Sequence, residues 1–430
     1  MSIRRKNGAV CSDLEAIRPL QDRPLNVLDL FFLEKYDGIP ERMEDYVGAI
    51  GHPAIAEECI RYLMGLSGNE AQRIGDQLIQ DSVLYAIDKS KLYQNKYMNY
   101  LNITDPDRLR DWIINNIKTG EDMDLLPSLK NEDIRRPELE HNAWWVAGKR
   151  IAGTYQTGGS TGKPSIIPFS PIDKILGSLT NAALVRKYLD INDGDKLLIL
   201  APAEPHPLGP LLAYSFEIMG ISTIPYWKHF KNPSPEDILS MISEIKPDIV
   251  VSAPHGPKGA NAAFDVLLAT DQRNGTDILP NCLDGKAIFS GGAPMARNLV
   301  DELYDSVGVK SIICGYGSAQ FCGSVGKIDR DHGENDPDFA SNVEIPAHFW
   351  SVSPIPDPEA PDSWSRFGIT VLGREAMPII KFDPGDYGQV NLSEKKLDNI
   401  CRVEWFYKDA ATGRYCVKIP SQVYTCISGV

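Results

Sequence analysis

The stretch AIFSGGAPMARNLVDELYDSVGVKSIICGYGSAQ (residues 287–320) decides the fold class. Ala287 to Phe289 is a short apolar run stopped by Gly291 and Gly292, and it reads as a buried strand. Leu299, Val300, Leu303, Tyr304 and Val307 then share one helical face, and Gly308 ends it. Ser311 to Cys314 is a further buried strand, ending at Gly315. Strand, helix and strand in this rhythm predict a βαβ unit and therefore a largely parallel sheet.

The same rhythm extends upstream. Leu197 to Leu200 reads as a strand ending in Pro202, and Ile249 to Val251 as another ending in Pro254. In such sheets ligands bind beyond the carboxyl ends of the strands. PAEPHPLG (202–209), SAPHG (252–256), SGGAP (290–294) and GYGSAQ (315–320) all fall there, and four loops of small, aromatic and polar residues on one edge are hard to explain by packing alone.

Closer to the amino end, residues 52 to 100 are helical in pattern. Ile74, Leu78, Ile79, Val83, Leu84 and Ile87 recur at steps of one, three and four, which predicts an amphipathic packing face. A second helical stretch covers Asp107 to Ile117, followed by LPSLKNEDIRR and by Trp144 and Trp145, which read as core. From Met1 to Asp45, Pro19, Pro24 and Pro40 argue against long regular elements. Beyond Gln320 the chain is rich in Pro and Asp from Asn335 to Ser363. It turns strand-like from Phe367 to Leu372 and ends in a β-like tail.

Between these regions lies TYQTGGSTGKPSIIP (154–168). Glycines let a backbone approach an anion closely, successive free N–H groups form an anion-binding concavity, and Ser160, Thr161 and Lys163 add hydroxyls and a charge. The loop is not GxxxxGK[ST], because Thr157 stands at the first glycine and Pro164 at the hydroxyl. By itself such a turn is more often a solvated loop than a site; the motifs downstream reverse the balance.

Bulk composition sets the frame. A chain of 430 residues exceeds what one hydrophobic core serves. The net charge of -14, with basic residues unclustered, argues against a nucleic-acid or anionic-membrane surface. Eight cysteines lack CxxC or CxxH spacing, which speaks against structural zinc and for a reducing compartment. MSIRRKNGAV has no apolar region after its basic residues, and no run approaches a membrane span, so a cytoplasmic location is expected.

In order and spacing, TGGSTGKP (157–164), PHPLG (205–209), SGGAP, GYGSAQ and REAMPIIKFDPGD (374–386) resemble the motifs of adenylate-forming enzymes, and most closely the phenylacetate-CoA ligase branch. The resemblance runs from about Ser82 to Val390. It implies an α/β fold: a large domain of parallel-sheet subdomains, a smaller β-rich barrel-like subdomain and a helical amino-terminal region. The expected division is a helical extension over 1–75, the adenylate-forming core over 76–390 and a β-rich tail over 391–430.

The implied reaction uses ATP and Mg2+ to turn a small-molecule carboxylic acid, aromatic or otherwise small, into an acyl-adenylate. The acyl group then passes to coenzyme A or a carrier-protein thiol; an amine or protein acceptor and a non-catalytic nucleotide- or acyl-binding relative are the alternatives. The resemblance also admits a biosynthetic role and a homodimer.

Carried over by position, Thr157, Gly158, Gly159, Ser160, Thr161, Gly162 and Lys163 would hold the β- and γ-phosphates. Gly291, Gly292, Ala293 and Pro294 would form the adenine slot, with Tyr316 stacking on the base and Gly317 and Ser318 beside it. Asp386 would accept from the ribose hydroxyls, with Asp383 the competing candidate. His206, Gly209, His255, Gly315 and Gln320 would line the acyl side, Lys163 and His206 being the candidates for catalysis.

Two departures stand out. Gln320 stands where the family has the glutamate that ligates magnesium; it remains the candidate metal ligand through its carbonyl oxygen, but a neutral carboxamide favours a hard cation less. Only 44 residues follow Asp386; part must complete the β-rich subdomain, and about 40 residues seldom form a stable core unaided. A complete carboxyl-terminal lid, with its lysine, is therefore not expected, either by truncation or by nature.

Overall fold

The computed structural model describes residues 23–36, 39–40, 43–135, 146, 148–156, 165–192, 194–200, 207–225, 233–254, 261–318, 320–330, 339–340, 343–358, 360, 364–402, 406–408, 415–419 and 422–423. A six-stranded sheet lies at its centre. Its spatial order is Ser222–Pro225, Lys196–Ile199, Ile249–Ser252, Ala287–Gly291 and Ser311–Ser318, all parallel, with Cys322–Ile328 closing one edge antiparallel. Leu197, Leu198, Val250, Ile288 and Ile312 are fully buried, as continuous apolar runs in a parallel sheet require.

Capping chemistry sets where the flanking helices begin. Helix Pro235–Ile245 starts with proline and a capping box between Ser234 and Asp237. Pro171–Tyr188 starts the same way with Ser170 and Asp173, and is buried along most of its length, from Ile172 to Val185. It packs on strand Cys322–Ile328 and on helices Pro53–Gly65 and Leu208–Ile218.

A second, antiparallel sheet runs Val343–Glu344, Lys396–Arg402, Asp386–Asn391, Ser365–Val371 and Trp350–Ile355, with Ile379–Phe382 also paired to Ser365–Val371. This is the smaller β-rich subdomain, and the architecture is the α/β class expected. Lys396–Arg402, from the tail, is an interior strand of that sheet.

Helices Pro53–Gly65, Gly68–Lys89 and Lys91–Leu101 occupy the predicted helical region, and Ile74, Leu78, Ile79, Val83, Leu84 and Ile87 are all buried. The division at 75/76 falls inside Gly68–Lys89, whose carboxyl half docks on the second sheet: Tyr85 Oη donates to the Glu375 carbonyl at 3.0 Å. Tyr93 Oη, on the next helix, donates to the Pro378 carbonyl at 2.8 Å.

Near the amino end Val27–Lys35 forms a short helix, begun where the Asn26 side chain accepts from the N–H groups of Leu28 and Asp29, with Pro24 lying before that cap. One expectation is corrected: GYGSAQ is not a loop after a strand ending at Gly315. The strand continues to Ser318, pairing Tyr316 with Ser324. The small residues permit this: a Cβ on Gly291 would sit 2.9 Å from the Gly315 carbonyl oxygen, and one on Gly315 would sit 2.7 Å from the Phe289 ring. Trp144 and Trp145 lie outside the described residues.

Candidate nucleotide site at the carboxyl edge of the parallel sheet

Because five strands are parallel and in register, their carboxyl ends share one edge. Gly291 is opposite Gly315 there, so the SGGAP turn and Tyr316 are brought together. Gly292 has φ +90° and is exposed, whereas Pro294 is buried. A positive φ at that turn suits glycine and leaves an open backbone surface next to the tyrosine.

Tyr316 is half-buried in an aromatic setting. Its ring lies 5.7 Å from Phe321, 6.0 Å from Phe367 and 6.4 Å from Trp350, the last two edge-to-face. These neighbours fix the ring plane. Its hydroxyl donates to Asp386 Oδ2 at 2.7 Å. Asp386 is 4% exposed, at the start of strand Asp386–Asn391. Burial, and then the charge of Asp386, push the Cys401 thiol well above its ordinary range.

The geometry also separates the two aspartates of DPGD. Asp383 forms an ion pair with Arg366 and accepts the Gly385 N–H at 2.9 Å, so it is committed to the turn. Asp386 is the one that meets Tyr316. Nearby, the buried Lys381 ammonium donates to the Met123 carbonyl at 2.9 Å and reaches Asp124 at 3.4 Å. Burial draws it below the usual lysine range, with Asp124 opposing.

Gln320 is 5% exposed and internally bonded. Its Oε1 accepts from Ser318 Oγ at 2.7 Å, its backbone N–H donates to the same hydroxyl oxygen at 3.2 Å, and its Nε2 makes a long 3.5 Å contact to Asn131 Oδ1. A single neutral oxygen already in use does not fit a hard divalent cation, which takes about six oxygen ligands. Among the described residues no group of three His, Cys, Asp or Glu side chains could hold a metal.

The other expected positions divide as follows. Gly209 is buried in the first turn of helix Leu208–Ile218; Gly317 is exposed and Ser318 partly so. Thr157, Gly158, Gly159, Ser160, Thr161, Gly162, Lys163, His206 and His255 lie outside the described residues. The strands leading into and out of the glycine-rich loop, Gly153–Gln156 and Ile166–Phe169, are described and pair antiparallel.

Sequence reasoning passed over Asn131 and Arg374. Asn131 comes close because Leu129 bridges to Phe382, its N–H donating to the Lys381 carbonyl at 2.9 Å and its carbonyl accepting from Asp383 at 2.8 Å. No local pattern announces a pairing across more than two hundred residues. Arg374 lies inside the REAMP block, so the motif marked the place but not the contacts.

The fold is that of adenylate-forming acyl-CoA ligases. 2-Hydroxyisobutyryl-CoA ligase in the postadenylation state, in complex with 2-HIB-AMP, superposes with TM-score 0.63 at 16% identity, over 82% of this chain and 71% of that one. An open conformation of that enzyme, in complex with 2-HIB-AMP and CoA, gives TM-score 0.61 at 16% identity, over 82% and 79%. No protein-family model matches the sequence, and no curated protein matches it. Among the described residues no helix is long and apolar enough to cross a membrane.

Proposed function

We propose that this chain, which has the fold of the adenylate-forming ligases, activates a small carboxylic acid with ATP and transfers the acyl group to coenzyme A or a carrier-protein thiol. The observation that carries the reading is the Tyr316–Asp386 pair beside the Gly291–Pro294 turn, at the sheet edge where this architecture binds ligands.

In this reading the adenine lies on the backbone of Gly291 to Pro294 against Tyr316, the ribose hydroxyls donate to Asp386, and Ser160, Thr161 and Lys163 meet the β- and γ-phosphates. The acyl group faces His206, Gly209, His255 and Gly315. An oxygen of the substrate carboxylate bonds to the α-phosphorus while the bond to the bridging oxygen breaks, releasing pyrophosphate. A thiolate sulfur then bonds to the acyl carbon, AMP departs with the former carboxylate oxygen, and solvent takes the thiol proton. Two anions must approach each other in the first step, so fixed donors and alignment supply most of the acceleration. Gln320, with its oxygen held by Ser318, takes no metal in this scheme.

The engaged Gln320 side chain favours one second reading, a nucleotide-binding protein without ligase activity. Pyrophosphate release across a panel of aromatic and aliphatic acids, with hydroxylamine trapping the adenylate as a hydroxamate, decides between them. Acid-dependent pyrophosphate and a matching hydroxamate support the ligase. ATP binding with neither product supports the binding protein.

A further inference from the structure

Arg374 is 3% exposed and touches two parts of the chain that the proposed reaction must hold in register. One guanidinium nitrogen donates to the Gln320 carbonyl, at the turn following Tyr316. Another donates to the Pro168 carbonyl at 3.3 Å, and the guanidinium carbon lies 4.2 Å from the centre of the Phe169 ring. Pro168 and Phe169 end the strand that leaves the glycine-rich loop. Phe169 in turn meets Tyr155, on the strand that enters it, edge-to-face at 5.2 Å.

The residues after Arg374 are anchored independently. The N–H groups of Glu375 and Ala376 donate to the Asp173 carboxylate at 2.7 and 3.0 Å, and Lys149 pairs with Glu375 at 3.0 Å. Arg374 thus projects from a fixed backbone. Its described contacts are to two carbonyls and a ring face.

We propose that Arg374 is a positioning residue that sets the distance between the adenosine-binding edge and the arms of the phosphate loop. The inference rests on the ATP reading above. A planar fork can donate in two directions and stack on an aromatic face at once; an ammonium on a flexible stem cannot hold all three. A ligand spanning both halves, such as ATP, depends on that distance. AMP lies on the adenosine side and depends on it far less.

The test compares ATP and AMP binding by calorimetry in the wild-type chain and in Arg374→Lys. The expected result is about a tenfold loss for ATP against less than about threefold for AMP, a lost set of charge-assisted contacts felt by one ligand only. Phe169→Leu, which removes the stacking face and keeps both carbonyls, is expected to show the same split more weakly, and carries the test if Arg374→Lys does not fold. Equal losses for both nucleotides, or none, would overturn the positioning role while leaving the ATP reading intact. A wild-type chain that binds neither nucleotide overturns the ATP reading, and the positioning role with it.

Discussion

Tyr316 Oη donates to Asp386 Oδ2 at 2.7 Å, a bond between residues seventy positions apart that joins the parallel sheet to the antiparallel one. An ionised carboxylate has about four acceptor sites, so the bond from Tyr316 does not by itself bar Asp386 from the ribose role proposed for it. Tyr316 would then orient the carboxylate rather than compete for it.

Asp386→Ala is therefore expected to weaken ATP binding about 10- to 100-fold, the scale of hydrogen bonds to a charged group at about 1.5–3 kcal/mol. Lys163→Ala should fall in the same range if the glycine-rich loop meets the phosphates. Tyr316→Phe keeps the ring and the carboxylate, and should change ATP affinity by less than about threefold while lowering stability by about 1 kcal/mol. Calorimetric titration and urea unfolding measure both quantities. Normal ATP binding by the Asp386 variant would remove that residue from the site.

Gln320→Glu tests the metal question from the structural side. In an open site the new carboxylate would gain a cation. Here it enters a 5%-exposed position and loses the Nε2 contact to Asn131. The expected outcome is a stability loss of about 1–3 kcal/mol, the cost of an ill-matched buried polar group, with no gain in magnesium dependence. Restored magnesium dependence at unchanged stability would mean that the side chain turns outward.

His348 is expected to make stability pH-dependent. It is buried with neither ring nitrogen hydrogen-bonded among the described residues, and burial lowers its pKa from 6.5 to about 4. The folded chain binds the proton more weakly than the unfolded one, so this contribution is complete above about pH 6.5 and is lost as the pH falls towards 4. The difference amounts to about 3 kcal/mol at 1.36 kcal/mol per pKa unit. His348→Gln should flatten the urea midpoint between pH 6.5 and 4. A wild-type slope retained in the variant would assign the effect to other groups.

Gly75→Ala sets local propensity against tertiary packing. Gly75 is inside helix Gly68–Lys89, where alanine is favoured by about 1 kcal/mol. Yet an added Cβ would sit 2.1 Å from the Ala347 carbonyl oxygen, and backbone cannot yield as a side chain does. A net destabilisation of about 1–3 kcal/mol is expected, in the range of overpacked cores. A thermal midpoint at or above that of the wild type would show that the helix can shift away from Ala347.

What was legible in the sequence was whatever has a short period or a local chemical requirement. Apolar runs with their proline and glycine stops placed strands at 197–200, 249–251, 287–289 and 311–314, each overlapping a strand of the sheet, and the helical face from Ile74 to Ile87. The motif set pointed to the edge where Gly291, Gly315 and Tyr316 meet. The sequence left Asp383 and Asp386 as rivals, since both sit in one four-residue turn. It also ended the strand at Gly315, since a glycine can stop a strand or let two backbones come close.

Only tertiary structure shows the contacts that separate them. Arg366 claims Asp383, Tyr316 claims Asp386, and Gly291 and Phe289 show why Gly315 must lack a side chain. The reach of Arg374 to Gln320 and Pro168 was equally out of view. Side-chain partners from distant segments are chosen by how sheets and helices pack, and one-dimensional periodicity records which face of an element is buried without recording what it is buried against.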